Sequence, residues 1–427
     1  MFQSLAKHNG HLMNRVDEYG LLPDIKFGFD AVKKTGEVAL KYAKNKKAII
    51  ITDHAIDDLG YTEPVVKSLE ESGFTVDVFA QGAIEPVMSQ VIEVCEKVGK
   101  GGYGIVIGFG GGSSLDRAKL ASAFASMPEK LPDYVAPNEV PVPMDGVIPK
   151  ILIPTTSGTG SEASNTAVVI AEGCALGSQK TWVAGEAILA NAAILDPTFM
   201  ANLPPRVTAA TGLDALSHCA EGILSKQANS FSDCLSLEAV QLVFTNLRAA
   251  YHHGEDNPEA RWNMAMSAMI GGMVISFGWV AGPATLGHAA SEGISPMLNM
   301  SHGDACGVLL PYVYWYNLAD DYAKKKLAMI AESMGIDTTD MTRQEAAEAA
   351  ILETFQLMED LDVPTSLKDY GMKEEDIPSM AEYILERAEE MYCMSQYNPR
   401  KATLENLKDF FHVAYLGKEE LKKRLAV

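Results

Sequence analysis

Asp214 and His218 stand four residues apart in TAATGLDALSHCAEGILS, so on a helix both project from one face. Farther along, LGHAASEGISPMLNMSHGDACG supplies His288 and His302. One carboxylate and three imidazoles make a compact donor set for a divalent transition metal. Mixed nitrogen and oxygen ligands suit Fe(II), Zn(II), Mn(II) or Co(II) and exclude a thiolate zinc site. A D-x-x-x-H pair also serves as a local ion pair, and an isolated core histidine is often only hydrogen-bonded, so spacing leaves both readings open. His252 and His253, in AYHHGEDNPEA, read instead as an exposed helix end.

A second chemistry lies in IVIGFGGGSSLDRAKLASAF, residues 105–124, which reads as strand, glycine turn and helix. Gly110, Gly111 and Gly112 expose backbone N–H groups, and Ser113 and Ser114 can cap the helix whose positive end faces the same point. The stretch is a phosphate cradle or a plain tight turn, since Ser113 fills the third glycine slot of a G-x-G-x-x-G run. Asp53 ends the strand AIIITD. There it can bind the adenosine ribose hydroxyls and repel a 2′-phosphate, favouring NAD, or it can cap the next helix. In IPTTSGTGSEAS, Thr155, Thr156, Ser157 and Thr159 can approach a pyrophosphate or nicotinamide, or form an ordinary turn.

Placing these residues requires two kinds of scaffold. Over the first two hundred residues, the runs 46–53, 74–80, 103–110, 150–156 and 167–172 read as strands alternating with helices. That alternation implies a largely parallel sheet covered on both faces. The proline-rich stretch from Met127 to Pro149 reads as an irregular surface loop. From Val207 onward the pattern is helical and rich in Ala, Met and Leu. The expected organisation is an α/β dinucleotide-binding domain over 1–198 and an all-α domain over 199–427, with the change falling near Asp196–Pro205.

Composition narrows the partners. The 427 residues carry a net charge of −21, which argues against nucleic acid or an anionic membrane, because both repel an acidic surface. Six cysteines without a C-x-x-C pair fit reduced thiols in a cytoplasmic protein. The N-terminal residues lack the apolar core of a signal peptide. Met264 to Gly287 is the most apolar stretch, and its glycines, Pro283 and the following His288 favour a buried core helix over a membrane span.

Taken together, GGGSSLDRAK, IPTTSGTGSE, LDP followed by LPPRVTAATGLDALSHCAEG, GH at 287–288, SHG at 301–303 and NPRKAT at 398–403 resemble, in this order, the iron-containing (group III) alcohol dehydrogenases. The resemblance runs from about Leu22 to Leu416. It implies a Rossmann-like N-terminal domain, an all-α metal-binding domain, and a cleft between them that holds the nicotinamide beside the metal. It implies Asp214, His218, His288 and His302 as ligands of a divalent metal, Fe(II) first, with Zn(II) or Mn(II) as substitutes. For NAD it implies Gly111, Gly112, Ser113 and Asp116 at the pyrophosphate and nicotinamide ribose, with Thr155, Thr156, Thr159 and Lys180 nearby and Asp53 at the adenosine ribose. The implied activity is hydride transfer between NAD(H) and a small primary alcohol or aldehyde, in a homodimer or larger homo-oligomer. A hydroxyacid–oxoacid transhydrogenase or a dehydroquinate synthase-like lyase is the alternative, using NAD without net turnover. Two positions depart from the family pattern. Glu292 stands where many members carry a histidine four residues after His288, and it could relay a proton or join the metal. In IEPVMSQ, Val87 replaces an amide that would face the substrate. Both changes bear on substrate choice.

Overall fold

Three short runs, KAIIITD, IVIGFG and KILIP, are almost wholly buried along their length, as strands covered on both faces must be. They are β2 (Lys47–Asp53), β4 (Ile105–Gly110) and β5 (Lys150–Pro154). With β1 (Asp24–Phe27), β3 (Thr75–Gln81) and β8 (Ala192–Leu195) they form a parallel sheet of order β1-β8-β5-β4-β2-β3. The structure is a computed structural model and describes residues 23–426 except 83–84, 139, 175–176, 278–284 and 393. The N-terminal residues, Pro283 and Cys393 therefore lie outside it.

Alternate side chains divide the sheet's two cores. Ile50, Ile107, Ile153 and Ile194 face one side, with helices α1 (Thr35–Tyr42), α2 (His54–Asp58) and α3 (Glu63–Glu71) following in the β1–β3 stretch. Ile49, Ile51, Val106 and Leu152 face the other, packed with α4 (Met88–Gly101) and α5 (Gly112–Ala123). Each fully buried isoleucine contributes about 1.5–3 kcal/mol.

The strand 167–172 was expected among the parallel strands. It belongs instead to β6 (Thr166–Cys174), which pairs antiparallel with β7 (Gly177–Ala184) as a separate hairpin. The hairpin's two faces bury in different cores. Ala167, Val169 and Val183 pack with the sheet, whereas Trp182 packs with the helical half. Lys180 shares Trp182's face by strand alternation.

After β8, every regular element from Pro205 on is helical among the described residues. α6 (Pro205–Leu224), α7 (Ser230–His253) and α8 (Pro258–Val274) come first. α9 (Leu286–Leu298), α10 (His302–Asn317), α11 (Asp321–Ser333) and α12 (Arg343–Asp360) follow. The chain ends with α13 (Ile377–Tyr392), α14 (Met394–Tyr397), α15 (Leu404–Leu416) and α16 (Lys418–Leu425). The apolar stretch read as one core helix divides: α8 is buried and stops at Val274, and α9 begins at Leu286. His252 and His253 are the exposed end of α7. No helix among the described residues is long and apolar enough to cross a membrane.

Candidate metal centre and cofactor cleft

α6 is buried at nearly every position from Thr208 onward, so its polar side chains must find partners inside the protein. Asp214, His218 and Glu221 recur at spacings of four and three and share one face. α10 crosses closely there: a side chain at Gly303 would strike the Ala210 carbonyl oxygen at 2.3 Å. That approach brings His302 to Asp214, with Nε2 3.8 Å from Oδ1.

His288 is delivered by the start of α9. The Glu221 carboxylate, fully buried, accepts from Thr285 N at 2.6 Å, Thr285 Oγ1 at 2.9 Å, His288 N at 3.1 Å and His288 Nδ1 at 2.7 Å. Gly287 is required, because a Cβ there would lie 2.4 Å from Glu221 Oε1. Glu221 thus caps α9 and holds the Nδ1–H tautomer of His288, leaving Nε2 to face inward. A carboxylate behind a histidine is the usual support for a metal-binding imidazole.

The donor atoms of Asp214, His288, His302 and Cys306 all lie within 4.8 Å of one another. His218 is not in that group; its ring stacks on His288 with centroids 4.7 Å apart. Asp214 Oδ1, His218 Nδ1 and His288 Nε2 are buried without a hydrogen-bond partner. Orphaned atoms of this kind, on nitrogen and oxygen donors, fit a divalent cation. The sequence pattern excludes a thiolate zinc site and names no cysteine here; α10 nevertheless sets the Cys306 sulfur 3.6 Å from His302 Nε2. Four residues separate the two along the helix.

Burial pushes His218 down to about 4, and burial together with Lys180 and the other imidazoles holds His302 well below its ordinary value. Both rings are therefore neutral and able to bind metal. Burial also acts against a charged His288, but Cys306 and Glu221 beside it raise its pKa well above the ordinary value.

Glu292 lies one turn after His288 and is buried. Its Oε1 accepts from Tyr392 Oη at 2.6 Å, a bond between α9 and α13, and burial pushes its carboxyl up to about 7. Tyr392 also packs against Trp182, with centroids 5.2 Å apart. Lys180 reaches toward the same region. Burial opposes its charge, but Glu85, 3.3 Å from Nζ, and then Glu292, Cys306 and Asp214 raise its pKa.

On the sheet side, β2 leads outward to β3 while β4 leads the opposite way to β5, so the order reverses between β2 and β4. Open α/β sheets bind ligands at the carboxyl ends of strands at such a point. Asp53 and the turn Gly110–Gly112 end these two strands. Asp53 caps α2 through Oδ1 to Ile56 N at 3.0 Å, and its Oδ2 accepts from Ser114 Oγ at 3.2 Å. The capping alternative is therefore realised. Ser113 and Ser114 do not cap α5: its N-cap is Gly111, without a side-chain bond. Thr155 N donates to Gly110 O at 3.0 Å, and Ser161 N donates to Thr159 Oγ1 at 3.2 Å, which sets the 155–161 loop against the turn. Gly111, Gly112, Ser113, Thr156 and Thr159 keep partial exposure there. Asp116 accepts from Ser161 Oγ at 2.6 Å and Val168 N at 3.0 Å, and burial raises its pKa. Val87 bridges to Ile170, tying the start of α4 to β6.

Sequence reasoning missed Glu221, Cys306 and Tyr392. The first two were readable, because Glu221 continues the His218 face and Cys306 repeats the four-residue step after His302. Tyr392 lies a hundred residues from its partner and left no local signal.

A parallel sheet with a reversal point, joined to a helical half with a buried histidine-carboxylate cluster, is the architecture expected of a metal-dependent dinucleotide oxidoreductase. Residues 23–197 match the model of the iron-containing alcohol dehydrogenases, and 208–415 match that of the family's C-terminal region. The chain belongs to the iron-containing alcohol dehydrogenase family and is an NAD-dependent, metal-dependent oxidoreductase of alcohols and aldehydes. It is 35% identical to choline dehydrogenase of Bacillus subtilis (strain 168) over 365 residues, 85% of this chain and 87% of that one. The crystal structure of a 1,3-propanediol oxidoreductase superposes with TM-score 0.85 at 30% identity, covering 94% of this chain and all of that one. That of sulfoacetaldehyde reductase from Bifidobacterium kashiwanohense with NAD+ gives 0.80 at 26% identity, covering 94% and 99%.

Proposed function

We propose that this chain interconverts a small primary alcohol and its aldehyde, with Asp214, His218, His288 and His302 holding Fe(II), for which Zn(II) or Mn(II) can substitute. The observation that carries this assignment is the pair of orphaned atoms Asp214 Oδ1 and His288 Nε2 in one buried cluster, with His218 Nδ1, also orphaned, on the ring stacked against His288. Each would cost about 1–3 kcal/mol if nothing bound it. When bound, the cation supplies polarisation of a substrate oxygen, and the nicotinamide exchanges hydride with the adjoining carbon.

The residues do the rest by placement. Glu221 fixes His288 so that Nε2 needs no reorientation. Tyr392 occupies one oxygen of Glu292 and leaves the other to accept the proton released as an alcohol is oxidised. Lys180 offsets the negative charge of Asp214 and Glu292. Gly111, Gly112 and Ser113, at the positive end of α5, take the pyrophosphate, with Thr155, Thr156 and Thr159 opposite. Asp53 takes the adenosine ribose in addition to its cap, and Asp116 positions the nicotinamide end by anchoring the 161–168 segment.

Relatives named for choline, 1,3-propanediol, methanol and sulfoacetaldehyde support a short alcohol or aldehyde as the substrate class proposed here, while one is named for long-chain alcohols. Assembly as a homodimer or larger oligomer in the cytoplasm belongs to the same proposal. Chelator-stripped protein should lose NAD(H)-linked turnover of such alcohols and aldehydes, and regain it in proportion to added Fe(II), Zn(II) or Mn(II). Full turnover in metal-free protein overturns the ligand assignment. Bound NAD that cycles without net NADH would move the chain to the transhydrogenase or lyase reading.

A further inference from the structure

Cys306 follows His302 by four residues on α10, so its sulfur and that imidazole lie on one helix face. The Sγ–Nε2 separation is 3.6 Å, and His302 Nε2 is 3.8 Å from Asp214 Oδ1. Two donors on a tetrahedral ion, with bonds of about 2.0–2.3 Å, sit roughly 3.5 Å apart. The sulfur therefore already stands at the spacing of a co-ligand, and with Asp214, His288 and His302 it falls inside the 4.8 Å group. Independently, two atoms of that group ask for a ligand. Asp214 Oδ1 and His288 Nε2 have no partner, on residues only 3% and 5% exposed.

We propose that the Cys306 sulfur binds the metal directly as a thiolate, giving this centre a mixed nitrogen, oxygen and sulfur shell. The inference rests on the metal centre described under Proposed function and adds one ligand to it. On binding, the S–H bond breaks heterolytically: sulfur keeps the electron pair and donates it to the ion, and the proton leaves to solvent. No electron is gained or lost. A thiolate lowers the net charge of the centre by one. It also shifts its selectivity toward zinc, relative to nitrogen and oxygen donors alone.

The test is the absorption spectrum of the full-length protein stripped with chelator and reloaded with Co(II), beside metal analysis. The expected result is one Co(II) per chain and a near-ultraviolet sulfur-to-cobalt charge-transfer band. Cys306→Ser and Cys306→Ala should lose the band and bind Co(II) at least about tenfold more weakly. Cys219→Ala, which removes the other buried thiol on the helical side among the described residues, should keep it. Stoichiometric Co(II) without the band in the unaltered protein overturns the thiolate while leaving the metal centre standing. A band that survives in both Cys306 variants overturns it equally. Failure to bind Co(II) stoichiometrically removes the metal centre itself, and the thiolate with it.

Discussion

In the helical half, Asp214 and His288 each keep a buried polar atom unpartnered, whereas in the sheet half Asp53 and Asp116 commit both carboxylate oxygens to the protein itself. The contrast follows from what each side binds. A metal ion needs bare, desolvated donors that are already converged, because moving them during binding would forfeit affinity. A dinucleotide is held largely by backbone N–H groups and a helix end, so the carboxylates around it are free to stiffen the loops that present that backbone. The donors at the metal centre stay bare, whereas Asp53 and Asp116 are satisfied beside an open backbone.

The contrast breaks most visibly at His288. His288→Ala should abolish stoichiometric metal and activity with the far-ultraviolet circular dichroism unchanged; metal retained at one per chain would mean that the orphaned Nε2 is not a donor. Glu292→Gln should keep the metal and lower kcat by roughly ten- to a thousandfold, with the loss confined to turnover. Unchanged kcat across the pH range would make the Tyr392 bond its whole role. Glu221→Gln comes next. It can still accept from His288 Nδ1 but loses the charge that supports it, so metal affinity should fall about 10- to 100-fold, as read by competition with a chelating dye.

The sheet side should respond in stability and selectivity instead. Lys150 is fully buried, its ammonium donating to the Ala187 and Leu189 carbonyls, and burial pushes it down to about 7 from 10.5. Between those values the unfolded chain holds the proton and the folded chain does not, so this residue makes stability rise with pH across that window. Urea unfolding from pH 7 to 10 should show the rise in the unaltered protein and a flatter profile in Lys150→Met; parallel profiles would refute it. The smallest effect is expected of Asp53→Asn. Asparagine also caps, so stability should change by no more than about 0.5 kcal/mol, while use of NADP relative to NAD should improve. An unaltered cofactor ratio would leave Asp53 as a cap and nothing more.

Legibility in the sequence followed the range of the interaction. Strands β2, β4 and β5 could be read because each holds an unbroken apolar run between covering helices, and the edge strand β3 because it is rich in Val, Phe and Thr. β1, β7 and β8 passed unread: β1 and β8 are four residues each, and β7 opens on the polar run Ser178–Thr181 before Trp182, Val183 and Ala184. Pairing was less readable than strand character. β6 has the composition of a sheet strand, yet it leaves the sheet, because its partner is the next strand along the chain rather than one reached by a crossover.

The sequence by itself determined the pieces whose logic is periodic or local. These are the alternation that makes a parallel sheet, the glycine turn at its end, and the shared helix face of Asp214 and His218. Spacing of that kind is set by the 3.6-residue turn and the two-residue pleat, which need no distant partner. Tertiary structure alone decided which side chains meet across elements. It put Glu221 behind His288, Tyr392 on Glu292, and Lys180 over the centre, and it brought the α10 face bearing His302 and Cys306 against Asp214. Those contacts join segments far apart in the chain, and only the packing of buried surfaces, where a single added methyl at Gly303 would force α6 and α10 apart and one at Gly287 would displace the Glu221 carboxylate, selects among the many ways the same helices could face one another.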